Sequence, residues 1–338
     1  MPLLNFTDKG MYVPAADVYI DPWRAVKKAL ITHGHSDHAR SGSSAYLTHH
    51  QSIPILTKRL GNLNYQGVEY GEVITINGVK FSFHPAGHVL GSSQIRIEHQ
   101  GEVWVASGDY KLQNDGVCTP FEPVKCNTFI TESTFGLPVY NWMPQQDVFN
   151  EINEWWSKNA EQGRCSIIYA YSLGKAQRIL QHVNEYIGPV YVHGAVAGMN
   201  EAYAEAGIEL KPYTKVSSNI DKSLYRKALI IAPSSADASP WMKKFEPYST
   251  AFASGWMAVR GNRRRLSADR GFVLSDHADW GEVNTAVKAT EASQVLVTHG
   301  FTDTFSRWLC ENGYDARPVK TEYAGEQLST EDVNEPKA

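Results

Sequence analysis

One short stretch of the chain reads Thr32-His33-Gly34-His35-Ser36-Asp37-His38, and it follows an apolar run at residues 29–31. Three of the chain's 12 histidines lie within this stretch, so a chance cluster in a polar loop is a poor explanation. Residues two apart in extended backbone point to the same side, so the first two histidines can bind one ion together. The aspartate and the third histidine can then reach a second ion. Imidazole and carboxylate suit zinc and manganese, so the stretch predicts a metal centre at a strand end.

The composition is that of a folded protein, with 42% hydrophobic and 20% charged residues. A length of 338 residues allows two modest domains, or one domain with an insertion. The apolar runs are too short to cross a bilayer, residues 1–6 do not resemble a signal peptide, and the four cysteines lack C-x-x-C spacing. We therefore expect a cytoplasmic protein with reduced thiols and no membrane partner. The net charge of −4 neither favours nor excludes nucleic acid, because local basic patches and bound metals set the field at a site.

An apolar strand followed by a residue that can bind metal recurs along the first and last parts of the chain. The residues in question are Asp21, His88, Asp109, Glu132, His277 and His299. This repetition predicts a binding edge built on a β scaffold. Two interpretations of Asp21 remain open: its carboxylate could anchor a histidine ligand from behind, or it could form a turn with Pro22.

The pattern changes between about residue 144 and residue 273. Residues 145–158 and 174–186 are predicted as helices, and residues 166–170, 190–192 and 229–232 as short strands. This alternation predicts a small α/β unit with parallel strands. Residues 53–56 are predicted as a strand, and Asn77-Gly78 as a hairpin turn. The polar, acidic C-terminal residues are expected to be disordered.

Taken together, the H-x-H-x-D-H string and the later histidines and aspartate resemble the ligand set of the metallo-β-lactamase superfamily. The resemblance implies an α/β fold, a four-layer αβ/βα sandwich with two metal ions at one edge of its sheets. The implied ligands are His33, His35 and His88 for one zinc ion, and Asp37, His38 and His299 for the other. The resemblance further implies that Asp109 bridges both ions and that Asp21 braces the ligand histidines.

Three further strings, beginning at Glu132, Ser275 and Thr298, resemble the additional motifs of the β-CASP nucleases. The resemblance implies a lactamase-type domain in two parts, residues 1–135 and 274–325, with a β-CASP domain inserted at residues 136–273 and a tail at 326–338. Ordinary lactamases, thioesterases and lactonases share the first string but lack the insertion and His277. A scaffold protein with a degenerate metal site is disfavoured, because every expected ligand is present.

Residues 170–175 resemble the Y-S-x-G-K string of crosslink-repair and Artemis-type nucleases. A strand leading into a helix N-terminus can bind an anion through its N–H groups and the helix dipole. The resemblance implies a pocket for the 5′ phosphate of a DNA end, formed by Ser172, Gly174 and Lys175. A serine cap followed by a solvated lysine is the alternative. The basic run at residues 260–265, with Arg260, Arg263 and Arg264, could contact phosphates or form a solvated face.

The whole chain is most similar to bacterial exonucleases associated with DNA ligase. The resemblance implies a 5′-to-3′ DNA exonuclease of DNA repair that uses two divalent metal ions, zinc and/or manganese, with a ligase and a helicase as partners. The catalytic residues would be Asp37 and Asp109 at the metals, His277 as general acid, and Glu132, which would hold the second ring nitrogen of His277 and raise its pKa. A β-CASP nuclease that processes RNA is the alternative.

Overall fold

A computed structural model of the chain describes residues 2–217, 221–261 and 268–322. These residues form two compact units. The first consists of residues 2–141 and 277–322, and the second of the described residues between 142 and 276. The α-helices in the described residues are α1 (Ile53–Leu60), α2 (Gln145–Glu161), α3 (Lys175–His182), α4 (Gly194–Glu205), α5 (Trp280–Ala289) and α6 (Thr302–Glu311). None of the helices described is long and apolar enough to cross a membrane.

The first sheet of the first unit has six strands. They are β1 (Asn5–Thr7), β2 (Gly10–Val13), β3 (Val18–Ile20), β4 (Lys28–Leu30), β5 (Ala45–His49) and β6 (Tyr65–Val68), and they follow one another in that order across the sheet. Strands β1 to β3 are antiparallel neighbours, whereas β3 to β6 are parallel. The carboxyl ends of β3 to β6 therefore lie at one edge of this sheet.

The second sheet has seven strands. They are β7 (Val73–Ile76), β8 (Val79–Pro85), β9 (Ser93–His99), β10 (Glu102–Ala106), β11 (Thr128–Ser133), β18 (Gln294–Gly300) and β19 (Asp315–Pro318). Their order across the sheet is β19-β18-β11-β10-β9-β8-β7. Strands β10, β11, β18 and β19 are parallel, while β7 to β10 are antiparallel neighbours. Residues that follow β10, β11 and β18 are thus brought to a single edge.

The two sheets pack face to face because side chains alternate along their strands. Trp104 and Ile130 point into the core between the sheets. Val105 and Phe129, one residue away, point to the opposite face, which α5 and α6 cover. Leu56 of α1 packs on the outer face of the first sheet. The resulting layers, helix, sheet, sheet and helix, confirm the αβ/βα sandwich expected from the sequence.

The second unit contains one six-stranded sheet in which all neighbouring strands are parallel. Its strands are β12 (Cys165–Tyr169), β13 (Val190–Val192), β14 (Thr214–Lys215), β15 (Leu229–Ala232), β16 (Tyr248–Ala253) and β17 (Arg270–Phe272), in the order β14-β13-β15-β12-β16-β17. Trp156, Ile179 and other residues of α2, α3 and α4 pack on one face. A short 3₁₀ helix that carries Met242 and Phe245 packs on the other. The predicted parallel α/β unit is confirmed.

The chain passes from the first unit to the second between residues 141 and 142, and it returns between residues 276 and 277. The boundaries predicted from the sequence are 135/136 and 273/274. At the first boundary the backbone carbonyl of Tyr140 accepts a hydrogen bond from the N–H of Trp280, which holds residues 136–141 to the first unit. At the second boundary Arg178 of α3 donates to the carbonyl of Ser275 and lies 3.7 Å from Asp276. Residues 323–338, which include the predicted tail, lie outside the described residues.

The strand predicted at residues 53–56 is wrong, because these residues begin helix α1. A short apolar run does not distinguish a buried strand from one turn of helix. Here Pro54 lies in the first turn, where its missing N–H and fixed φ are tolerated. The hairpin prediction is confirmed: Asn77 and Gly78 have φ of 49° and 82° and join β7 to β8, as a type I′ turn requires.

Candidate metal centre

A buried carboxylate behind the loop that follows β4 orients the first histidines of the site. Asp21 follows β3 and accepts hydrogen bonds from the backbone N–H of Thr32 at 2.8 Å and from its hydroxyl at 2.6 Å. The same carboxylate lies 2.8 Å from Nδ1 of His38. The Thr32 hydroxyl lies 3.1 Å from Nδ1 of His33. Asp21 therefore contacts one histidine directly and another through Thr32, and both rings present Nε2 to the interior of the site.

The carboxylate of Asp109, which follows β10, is where the histidine nitrogens converge. Its Oδ2 atom lies 3.3 Å from Nε2 of His38, 3.5 Å from Nε2 of His33 and 3.8 Å from Nε2 of His88. Nε2 of His88 is in turn 2.9 Å from Nδ1 of His35. The ligand atoms of His33, His35, His88 and Asp109 all lie within 4.8 Å of one another, as do those of His38, Asp109 and His299. Asp109 thus belongs to both groups.

His299 reaches the site because the end of β18 is irregular. The pairing of β11 with β18 shifts register between Glu132 and Ser133, which is the effect of a bulge that redirects a side chain. His299 itself has a φ of 50°, and the Ser133 hydroxyl donates to its carbonyl. A Cβ atom at Gly300 would lie 2.3 Å from the carbonyl oxygen of Ser133, so only glycine allows this close approach.

Asp37 lies beside the group formed by His38, Asp109 and His299, but its carboxylate is not one of the ligand atoms that lie within 4.8 Å of one another. Its Oδ2 is 3.7 Å from Nε2 of His38, and its side chain is 24% exposed. The structure therefore gathers His33, His35, His38, His88, Asp109 and His299 closely and leaves Asp37 at the margin.

The protonation states of two buried groups, His33 and Asp109, suit a metal ion, whereas His38 would release its proton on binding one. Burial, with the neighbouring His38 and His88, lowers the pKa of His33 well below its usual value. Burial opposes the charge on His38, but Asp109 and Asp37 hold the pKa of its ring well above the usual value. Burial also opposes the charge on Asp109, yet His38 and His277 hold its pKa well below the ordinary range. Asp109 is therefore ionised and His33 neutral, the states in which carboxylate and imidazole bind metals.

Two buried ring nitrogens of the site lack any hydrogen-bond partner: Nε2 of His33 and Nε2 of His38. An unpaired buried polar atom costs free energy unless another group or an ion satisfies it. Divalent ions accept nitrogen and carboxylate oxygen ligands of this kind. The residues therefore fit a divalent metal centre.

A second histidine–carboxylate pair lies next to these groups. Glu132 accepts hydrogen bonds from the N–H of Tyr110 at 2.7 Å and from the hydroxyl of Thr134 at 2.6 Å. Its Oε2 also lies 2.8 Å from Nδ1 of His277. The ring of His277 is centred 4.6 Å from that of His88, and its ligand atom falls within 4.8 Å of those of Asp109 and Glu132. Glu132 thus holds one nitrogen of His277 while the ring lies beside the metal groups.

The residues expected to bind phosphate belong to the second unit. Gly174, with a φ of 97°, precedes α3, and its N–H donates to Oε1 of Gln177. The amide of Gln177 donates in turn to the carbonyl of Ser172. Lys175 is only 1% exposed, so the alternative of a solvated lysine does not hold. Arg260 is exposed, and Arg263 and Arg264 lie outside the described residues.

One further group of residues that could hold a metal, formed by His49, His50 and Glu69, was not predicted from the sequence. The available signal was the pair of histidines at the end of β5, which repeats the pattern of a strand followed by a ligand. The role of Thr32, whose hydroxyl connects Asp21 to His33, was not predicted either.

Comparison with known proteins finds no matching family model. A probable DNA ligase of Opitutus terrae is 29% identical over 311 residues, which are 91% of this chain and 30% of that protein. An RNase J-like protein of Methanocaldococcus jannaschii is 26% identical over 58% of this chain and 54% of that protein. The chain thus spans about a third to a half of the length of these relatives. A crystal structure of an Enterococcus faecalis protein of unknown function matches 88% of this chain and 80% of its own with a TM-score of 0.59 and 14% identity, which indicates a shared fold.

The shared position of Asp109 predicts the effect of an Asp109→Asn substitution on bound metal. Asparagine keeps the shape of the side chain but removes the charge that both groups of ligands use. We expect the purified variant to lose metal from both groups while its circular dichroism spectrum stays that of the wild type. Metal content would be measured by plasma emission spectroscopy, with Asp17→Asn, an exposed aspartate of the same unit, as the control. Loss of metal from one group alone would contradict a shared carboxylate.

Proposed function

We propose that this chain is a β-CASP nuclease of the metallo-β-lactamase fold, and that it acts on DNA as a 5′-to-3′ exonuclease. The observation that carries the proposal is the placement of two groups of metal-binding residues around the single carboxylate of Asp109. Two metal ions at close range are typical of enzymes that hydrolyse phosphodiesters. The Glu132–His277 pair beside them supplies a further group for proton transfer.

DNA is the preferred substrate class because the relative that matches over 91% of the chain is a probable DNA ligase. A polypeptide that joins such a region to a ligase would work at DNA ends. On the same ground, we propose a DNA ligase as a partner of this chain. The resemblance to ligase-associated exonucleases is the reason to propose also a helicase of the same repair system as a partner, and a cytoplasmic location. The RNase J-like relative, which matches over 58% of the chain, favours RNA processing as the second candidate function.

In the proposed reaction, His33, His35 and His88 would hold one metal ion, and Asp37, His38 and His299 the other. When bound, two divalent ions supply an activated water for attack on phosphorus and positive charge for the phosphate oxygens. Asp109, ionised and shared by both groups, contributes the negative charge that keeps the cations together. Zinc and manganese both suit these ligands.

The leaving 3′ oxygen needs a proton, and we assign its delivery to His277. Since Nδ1 of this ring donates to Glu132 at 2.8 Å, the proton that is transferred would come from Nε2. Glu132 is itself fixed by Tyr110 and Thr134, so it sets both the tautomer and the direction of the ring.

Ser172, Gly174 and Lys175 are proposed to bind the 5′ phosphate of the substrate. Lys175 is the first residue of α3, where the helix N-terminus favours an anion, and a terminal phosphate can accept charge-assisted hydrogen bonds from an ammonium group. Arg260, which is exposed, and Arg263 and Arg264 are proposed to contact the backbone phosphates further along the strand.

The substrate is tested with matched DNA and RNA oligonucleotides labelled at either end, with and without a 5′ phosphate. We expect early release of mononucleotides from 5′-labelled, phosphorylated DNA in the presence of manganese or zinc, with RNA spared. The products would be resolved on denaturing gels over time, and chelator-treated protein serves as the control. Preferential cleavage of RNA would move the protein to the RNA-processing alternative.

His277→Ala tests the proton donor. Because general acid catalysis contributes about 10²- to 10⁴-fold to a rate, we expect cleavage to slow by that factor while the bound metal is unchanged. Added imidazole should restore part of the rate, since it can occupy the space of the missing ring. His99→Ala, outside all of the metal-binding groups described, is the control. A variant that loses its metal would refute the assignment of His277 as an acid.

Lys175→Met tests the phosphate pocket, since methionine keeps the apolar stem and removes the charge. Loss of a charge-assisted contact should reduce the preference for 5′-phosphorylated over 5′-hydroxyl DNA by about tenfold or more. The two substrates would be compared by competition in one reaction. Lys158→Met, which alters an exposed lysine of the same unit, is the control. An unchanged preference in a folded variant would exclude Lys175 from the pocket.

A further inference from the structure

The group formed by His49, His50 and Glu69, called here the β5 histidine cluster, lies in the first sheet and shares no residue with the metal centre around Asp109. His49 is the last residue of β5, His50 begins the following 3₁₀ turn, and Glu69 directly follows β6. Strands β5 and β6 are parallel, and His49 pairs with Val68. The three side chains therefore come together at the carboxyl ends of two neighbouring strands.

The distances within the β5 histidine cluster are short enough for one ion to contact all three residues. One ligand atom from each residue lies within 4.8 Å of the other two. Nδ1 of His50 is 3.3 Å from Oε2 of Glu69, and the two histidine rings are centred 4.3 Å apart.

The state of the His49 side chain is a second, independent observation that points to a bound ion. Its side chain is 1% exposed, and neither Nδ1 nor Nε2 has a hydrogen-bond partner. In the described part of the chain, the other buried imidazole nitrogens without a hydrogen-bond partner belong to His33 and His38 of the metal centre. His49 therefore shares with two proposed metal ligands the same deficit, a buried nitrogen that nothing in the protein satisfies.

The protonation state of His49 agrees with a ligand role. Burial, with the neighbouring His50, lowers the pKa of His49 to about 3. The ring is thus neutral at physiological pH, so one nitrogen has a lone pair available to a cation. The neutral His49 ring therefore forms no ion pair with Glu69.

We propose that His49, His50 and Glu69 bind a further divalent transition-metal ion of the zinc type, separate from the ions held around Asp109. Two imidazoles and one carboxylate are a donor set that zinc takes in proteins. The side chains of His50 and Glu69 are 45% and 72% exposed, so the ion can enter from solvent and complete its coordination with water.

Occupation of this site would stabilise the loop that carries His88. The ring of Tyr70, which follows Glu69, stacks on His49 with centroids 3.6 Å apart and planes inclined by 12°. The Tyr70 hydroxyl donates to the carbonyl of Ser92 at 3.0 Å. The hydroxyl of Ser92 accepts from the N–H of His88 at 3.0 Å. A metal ion that fixes His49 would therefore restrain Tyr70 and, through Ser92, the backbone of His88.

The test counts zinc ions bound to the full chain. Metal-free protein would be dialysed against buffered micromolar Zn²⁺, and bound zinc measured by plasma emission spectroscopy. We expect His50→Gln and Glu69→Gln each to bind one zinc ion fewer than the wild type, because each substitution removes a ligand from a partly exposed position. His99→Gln, the same type of change elsewhere in the unit, should bind as much zinc as the wild type. Equal zinc content in all four proteins would overturn the proposal.

A second comparison separates this site from the centre around Asp109. In Asp109→Asn, which removes the carboxylate common to both groups of that centre, we expect one zinc ion to remain bound. The double variant Asp109→Asn/His50→Gln should bind none. If the single variant Asp109→Asn retained no zinc, or if His50→Gln removed no zinc from it, the β5 histidine cluster would not be a separate site. Neither measurement depends on nuclease activity, so the proposal that the β5 histidine cluster binds a metal can fail while the proposed function stands.

Discussion

The metal centre of the first unit depends on one electrostatic constraint, the burial of the Asp109 carboxylate among imidazole rings. A buried carboxylate keeps its charge only if positive charge or hydrogen-bond donors surround it. Nε2 atoms of three histidines lie within 3.8 Å of its Oδ2 atom, yet two of those nitrogens remain without a hydrogen bond. The protein alone therefore satisfies neither the negative carboxylate nor the histidine nitrogens completely, and bound cations would satisfy both.

The fold meets this constraint through the direction of its strands. Strand β4 of the first sheet ends just before His33. In the second sheet Asp109 follows β10, and Glu132 and His299 are the last residues but one of the parallel strands β11 and β18. Parallel strands bring their carboxyl ends to one edge, so groups far apart in sequence meet without long loops. Close backbone contacts refine the placement: a Cβ atom at Gly108 would lie 2.8 Å from Thr32. The edge is thus rigid where the ligands need fixed positions.

Much of this arrangement could be predicted from the sequence, because the ligands follow apolar strands and the alternation of apolar side chains is strong. The layers of the first unit and the parallel strands of the second follow from such local patterns. The helix at residues 53–60 could not be separated from a strand, since a short apolar run fits both. The compact units change at 141/142 and 276/277, a few residues beyond the predicted limits, and contacts between residues far apart in sequence, such as the hydrogen bond from Trp280 to Tyr140, are not visible in a local pattern.

The β5 histidine cluster shows why residue identity is not enough to recognise a ligand. His84 contacts the Ser82 hydroxyl at 2.9 Å, and His193 accepts from the N–H of Ala195, so nitrogens of both rings are satisfied by the protein. His49 is as polar as these residues, but its burial leaves both nitrogens without partners. That difference arises only when β5, β6 and Tyr70 come together in the folded protein, so it cannot be predicted from a local sequence pattern. Since evolution rarely leaves a buried polar group unpaired, a histidine in this state beside a second histidine and a glutamate is best explained by a ligand that the protein binds.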